Sequence, residues 1–158
     1  TMLARSGLVN LREATVDDVG AILALIAPLE SDGTLVKRGR ERIEMEIGHF
    51  SLLEDDGVVV GCAALYPFKA RKGEPVGELA CLAVMADYRR CGYGDQLRKH
   101  IEARARKLKL KKLFVLTTRT AHWFIERGFV EGDVAALPEG KRELYNYQRR
   151  SKVLLKPL

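Results

Sequence analysis

The segment Val76–Val84, reading VGELACLAV, constrains the fold of this chain more than any other. It is apolar at nearly every position and lacks the in-out alternation of a strand wetted on one face. It therefore predicts a central strand covered on both sides. A charged stretch with two closely spaced glycines follows. Then, from about Gly94 to Lys107, Leu97, Ile101, Ala105 and Leu108 recur at three- and four-residue spacing, one buried stripe of a helix. Lys112–Thr117, KLFVLT, reads as the next strand. Strand, helix, strand in that order requires a right-handed crossover, so strands four and five run parallel.

The rest of the chain supplies elements on either side of this unit. Val9–Arg12 is a first strand. Thr15 caps a helix whose first turn carries Asp17 and Asp18, favourable against the positive helix end. Val19, Ile22, Leu23 and Ile26 continue it, and Pro28 is expected to stop it. A second helix is expected over about Arg40 to His49, with Ile43 and Ile47 on one face. Phe50–Glu54 and Val58–Tyr66 flank Asp55-Asp56-Gly57, and Asp-Gly between two β-rich runs is a strong hairpin signal. Phe68–Pro75 reads as a loop, Thr120–Arg127 as a short helix ended by Gly128, the chain from Phe129 as less regular, and Ser151–Lys156 as a last strand. The class is α/β (α+β): a central mixed, mostly antiparallel sheet with helices on both faces.

With 158 residues, no repeat and no linker, the chain fits one domain. No apolar run approaches the roughly 18 residues that span a bilayer, and Thr1–Arg12 has no secretory core, so no membrane role is expected. Three cysteines (Cys62, Cys81, Cys91) without a CxxC pair fit reduced thiols and a cytoplasmic location. His49, His100 and His122 are scattered, so no metal is expected. The net charge of +6 is open to three readings: a solvated surface, a nucleic-acid patch, or a site for polyanionic small molecules. The spread of Lys and Arg along the chain disfavours nucleic acid.

Arg89-Arg90-Cys91-Gly92-Tyr93-Gly94 lies between the buried strand and the amphipathic helix. Such a loop can aim successive backbone N–H groups at a phosphate, with the helix start adding positive potential. A tight strand-to-helix turn would also place glycines there. The P-loop pattern GxxxxGK[ST] is absent, and the dinucleotide pattern GxGxxG fails because its third glycine position holds Leu97. Glu78 is the one charge in the central strand. A carboxylate in such a place either has a cationic partner or faces a cleft. Facing a cleft, it is a candidate general base, because burial raises a carboxyl's proton affinity toward the range useful for that task.

The pattern Arg89-x-x-Gly92-x-Gly94 after a strand resembles motif A of the GNAT superfamily of N-acetyltransferases. Trp123-Phe124-Ile125-Glu126-Arg127-Gly128-Phe129 resembles its motif B. The element order is similar along nearly the whole chain. The segments 77–84, 113–119, 122–124 and 144–153, with Pro28-Leu29-Glu30 and Leu35-Val36-Lys37-Arg38, are further similar to the C-terminal domain of the bacterial N-acetylglutamate synthases. The resemblance implies a GNAT fold with strands four and five splayed to hold acetyl-CoA. It also implies an enzyme that passes the acetyl group directly to the α-amine of L-glutamate, the first step of arginine biosynthesis, without a metal; the alternatives are a GNAT acetyltransferase for another amine and a non-catalytic acetyl-CoA-binding regulatory module.

The family's residues carry over as follows. Glu78 stands at the proposed base. Leu82, Ala83, Val84, Arg89, Arg90, Cys91, Gly92, Tyr93 and Gly94 stand at the cofactor site. Arg38, Cys81, Thr117, Arg149 and Ser151 stand at the substrate site, with Lys37 and Thr118 as neighbours. Covalent transfer through Cys81 is disfavoured, since no histidine is paired with it. Phe124 holds the place where many members have an acidic tyrosine, and a phenyl ring donates no proton. That leaves the acid unassigned, with Tyr145 and Tyr147 as distant candidates. These synthases usually carry an N-terminal amino-acid-kinase-like domain and form homo-oligomers. Thr1 preceding Met2 fits a fragment lacking that domain.

Overall fold

A computed structural model describes residues 9–69, 73–138, 141 and 151–158. The chain runs β1 (Val9–Glu13), α1 (Val19–Ser31), α2 (Arg40–Met45), β2 (Phe50–Asp55), β3 (Val58–Phe68), β4 (Val76–Val84), α3 (Tyr93–Lys107), β5 (Lys112–Thr117), α4 (Ala121–Ile125), β6 (Val130–Gly132) and β7 (Lys152–Pro157). The strands join one seven-stranded sheet in the order β1-β2-β3-β4-β5-β7-β6. Val76↔Lys112, Gly77↔Leu113 and Glu78↔Phe114 pair in parallel, as the crossover requires. That ladder covers only the first three residues of each strand, while β5 pairs antiparallel with β7 as far as Thr117↔Lys152. Three further ladders, β1 with β2, β2 with β3 and β6 with β7, are antiparallel.

Two compact units divide the chain, Thr1–Ala64 with Cys81–Ile101 and Leu65–Ala80 with Glu102–Leu158. In the first, Ile22 and Ile26 of α1, Ile43 of α2, Phe50, Leu52 and Leu53 of β2, and Leu97 and Ile101 of α3 are fully buried. The hairpin forms where Asp-Gly predicts it: Asp56 (φ 50°) and Gly57 (φ 80°) both take the left-handed conformation that a two-residue turn needs, and Asp55 pairs with Val58. Asp18 is more than a favourable helix-end charge. Arg12 grips it through two hydrogen bonds of 2.9 Å and also donates to Glu54 at 2.7 Å.

Three expectations are corrected here. Pro28 does not stop α1, which runs on to Ser31. Proline removes one N–H, but Asp32 N closes the last turn onto Pro28 O at 3.1 Å, so the helix loses one bond and gains an end. The second helix ends at Met45, and Ile47–His49 forms a separate 3-10 turn. Leu108 is 54% exposed and Leu110 takes its buried place. Helix α3 ends at Lys107 and Lys109 turns left-handed (φ 62°), which rotates the stripe by more than the helical repeat allows.

The second unit is built around Phe114, Leu137 and Val153, with Phe68, Val76, Leu116, Val134 and Leu155 packed against them. Among the described residues beyond Phe129 there is more regular structure than expected, because β6 adds to the edge of β7 and Val134–Ala136 forms a 3-10 turn. Buried Glu102 receives Lys156 Nζ at 3.0 and 3.1 Å.

Candidate active site

The candidate residues fall in both units, and each set has its own geometry. In the first unit the far end of β4 is irregular. Cys81 takes φ +55° inside a strand, a conformation that costs a non-glycine residue about 1–2 kcal/mol. Cys62 Sγ donates to the Cys81 carbonyl at 3.3 Å, and both residues are buried. Burial pushes the Cys62 thiol well above its ordinary range, so it stays protonated and able to donate.

A 3-10 turn, Ala86–Tyr88, leads into the glycine loop. Tyr88 and Tyr93, at the two ends of the loop, stack with ring centroids 5.9 Å apart. Between them Arg90 (φ 68°) and Gly92 (φ 81°) are left-handed, and Gln96 N donates to Gly92 O at 3.1 Å as α3 begins. The first N–H groups of a helix have no carbonyl partner within it. A Cβ added at Gly92 would meet nothing within 4 Å, so the turn opens onto space. Arg90 is exposed beside it, whereas Arg89 folds back, its Nε donating to Val84 O at 3.2 Å. Asp95, also in the first turn, is paired with Arg98. These features fit an anion such as a phosphate group. Cys91 is half-buried, and its thiol leans on Arg89 O at 3.8 Å.

Also in the first unit, Arg38 is 8% exposed, and its backbone N–H donates to Glu30 Oε2 at 2.7 Å. The Glu30 carboxylate thus fixes the chain at Arg38, while Lys37 is exposed.

In the second unit, Glu78 is 5% exposed and stands opposite Phe114 in the parallel ladder. Its Oε1 lies 3.1 Å from Lys141 Nζ. The cationic partner that the sequence left as one alternative is therefore present, and it comes from a segment where no sequence signal marked it. Thr117 is buried, and its hydroxyl accepts from Thr120 N at 3.0 Å, tying the end of β5 to the start of α4. Ser151 is buried one residue before Lys152, the register partner of Thr117. Phe124 is 4% exposed, edge-on to both Trp123 (4.9 Å) and Phe129 (5.3 Å), so it is a core residue. Arg149, Tyr145 and Tyr147 lie outside the described residues. Among the described residues there is no group of three His, Cys, Asp or Glu placed to hold a metal, and no helix long and apolar enough to cross a membrane.

Comparison with known proteins points one way. The acetyltransferase (GNAT) family matches residues 21–129. The amino-acid acetyltransferase of Ralstonia nicotianae is 58% identical over 158 residues, which are 100% of this chain and 34% of that protein. The crystal structure of N-acetylglutamate synthase from Neisseria gonorrhoeae complexed with coenzyme A and N-acetyl-glutamate superposes with a TM-score of 0.88 at 42% identity, over 95% of this chain and 35% of that one. A Mycobacterium tuberculosis protein solved with CoA and NLQ shares the fold, with a TM-score of 0.78 at 23% identity over 94% of this chain and 99% of that one. The chain thus spans about a third of the length of the curated relatives it matches.

Proposed function

This chain belongs to the acetyltransferase (GNAT) family, and on that premise we propose that it transfers the acetyl group of acetyl-CoA to the α-amine of L-glutamate. In this reading it is the acetyltransferase part of a longer, homo-oligomeric, cytoplasmic enzyme. The observation that carries the proposal is the left-handed turn at Arg90 and Gly92 opening α3. That turn offers main-chain donors and open space to the cofactor's pyrophosphate. The relatives' names support an amino acid as the acceptor, and the N-acetyl-glutamate bound to the Neisseria enzyme supports glutamate among them.

The residues act as follows. The loop Arg90–Gly94 and the start of α3 hold the pyrophosphate. The main chain of Leu82, Ala83 and Val84 lines the thioester end, and a strand N–H near Leu82 stabilises the oxyanion, a contribution of about 3 kcal/mol. Arg38 and Arg149, with Ser151, take the two carboxylates of glutamate, since guanidinium forks match carboxylates. The Cys81 main chain and Thr117 line the substrate site. The amine arrives as an ammonium and is no nucleophile until Glu78 removes a proton, directly or through a water. Transfer is direct, with no acetyl-Cys81 intermediate, and kinetics are sequential; the burial of Cys81, 2% exposed, supports this reading.

A thiol-release assay with acetyl-CoA across amino acids and polyamines tests this. L-Glutamate is expected to exceed L-glutamine in kcat/KM by about 100-fold, because glutamine leaves one charged fork unpaired. Equal turnover of glutamine or of a polyamine would refute the assignment. Ping-pong kinetics or an acetylated Cys81 would refute direct transfer.

A further inference from the structure

We propose that Lys141 is a positioning residue for the acetyl transfer, its ammonium holding the Glu78 carboxylate in one orientation so that Glu78 can receive the substrate's proton. The inference rests on the reading of Glu78 as the base. Glu78 is 5% exposed in a strand otherwise apolar. A buried carboxylate is costly without a compensating charge, and without a partner nothing fixes the direction of its lone pairs. Lys141 Nζ, 3.1 Å from Glu78 Oε1 on a side chain 17% exposed, supplies the missing charge. Among the described residues it is the cation that an ion pair joins to Glu78.

The fold delivers Lys141 to that spot through anchored steps. Asp133 caps the 3-10 turn Val134–Ala136 by accepting from Ala135 N at 2.8 Å. Leu137 then buries itself in the cluster of Phe114, the ladder partner of Glu78. Lys141 N closes back onto Pro138 O at 2.9 Å. The side chain thus starts from a fixed base.

Proton accounting is simple. An N–H bond of the substrate ammonium breaks and an O–H bond forms on Glu78. The amine then forms its C–N bond as the thioester C–S bond breaks, and the thiolate leaves with that electron pair and takes up the amine's second proton as the free thiol. Lys141 keeps its three N–H bonds throughout.

The test compares Lys141→Met, Lys141→Arg, Glu78→Gln and the double variant Glu78→Gln/Lys141→Met in steady-state kinetics, with acetyl-CoA binding and thermal melting as fold controls. Lys141→Met is expected to lower kcat at least 10-fold with acetyl-CoA KM unchanged, and Lys141→Arg to restore most of the loss. In the Glu78→Gln background Lys141→Met is expected to change nothing further, because its effect runs through Glu78. Should Met at this position unfold the protein, Lys141→Gln makes the same comparison. A parental kcat in Lys141→Met with an impaired Glu78→Gln would overturn the role of Lys141 alone. An equal fractional loss in both backgrounds would do the same. A fully active Glu78→Gln would remove the base, and this inference with it.

Discussion

Gly92→Ala puts a defined strain on the loop that the cofactor is proposed to occupy. Gly92 sits at φ +81°, and an added Cβ meets nothing within 4 Å, so the substitution acts through backbone conformation and not through a clash. Holding an L-residue in that region costs about 1–2 kcal/mol. The loss of glycine's freedom in the unfolded chain returns about 0.4–1 kcal/mol. If the loop keeps its shape, the middle of these ranges leaves a net loss of about 0.8 kcal/mol, which lowers Tm by roughly 2–3 °C at the scale of about 2–4 °C per kcal/mol for a chain of this size. If the loop relaxes instead, Tm is held. The strain then has to be restored on binding, which weakens acetyl-CoA affinity by a factor of about 5–30. Thermal melting and acetyl-CoA calorimetry on the same preparations read both routes. Gly92→Asn is the internal control, since asparagine tolerates the left-handed region better than alanine, and it should lose less by either readout. Parental Tm together with parental acetyl-CoA affinity in Gly92→Ala would refute the reasoning, because the strain would then have appeared nowhere.

Three further outcomes follow from the packing and the charges. Gly77→Ala would set a Cβ 2.8 Å from Leu110 Cδ1 and 2.9 Å from Leu65 Cδ1, both buried, so chemical denaturation should show a loss of about 1–3 kcal/mol; an unchanged midpoint would mean the leucines yield freely. Hydrogen bonds from Arg12 hold the Asp18 carboxyl down from 3.8 to about 2, so the stability it contributes is present above 3.8 and is lost as the pH falls toward about 2. Asp18→Asn should remove that pH dependence, a difference of about 1–2 kcal/mol once the partial exposure of Arg12 is allowed for; parallel acid-unfolding curves for the two proteins would contradict it. In the native protein a thiol reagent should modify the half-buried Cys91 quickly and reach Cys62 and Cys81 only on unfolding, and fast native labelling of Cys62 would show that β3 opens.

What the sequence determined by itself was set by local rules. The strands Val76–Val84 and Lys112–Thr117 occur at the residues where unbroken apolar runs place them, and their parallel pairing follows from the helix between them. Asp56-Gly57 dictated its turn, and Gly92 the left-handed step into α3, because few other residues accept those angles. Glu78 stood out as a lone charge in an apolar run. Tertiary structure decided what those rules cannot see. Pro28 stays inside α1 and Leu110 replaces Leu108 because chain ends and turns are closed by particular hydrogen bonds, not by periodicity. The left-handed Cys81 was invisible, since nothing in its neighbours asks for positive φ; it is held by Cys62 from the adjoining part of the chain. The partner of Glu78 was likewise undetermined. Any of the chain's many lysines and arginines would have satisfied its charge. The burial of Leu137 against Phe114, with the hydrogen bond from Lys141 N to Pro138 O, selects Lys141.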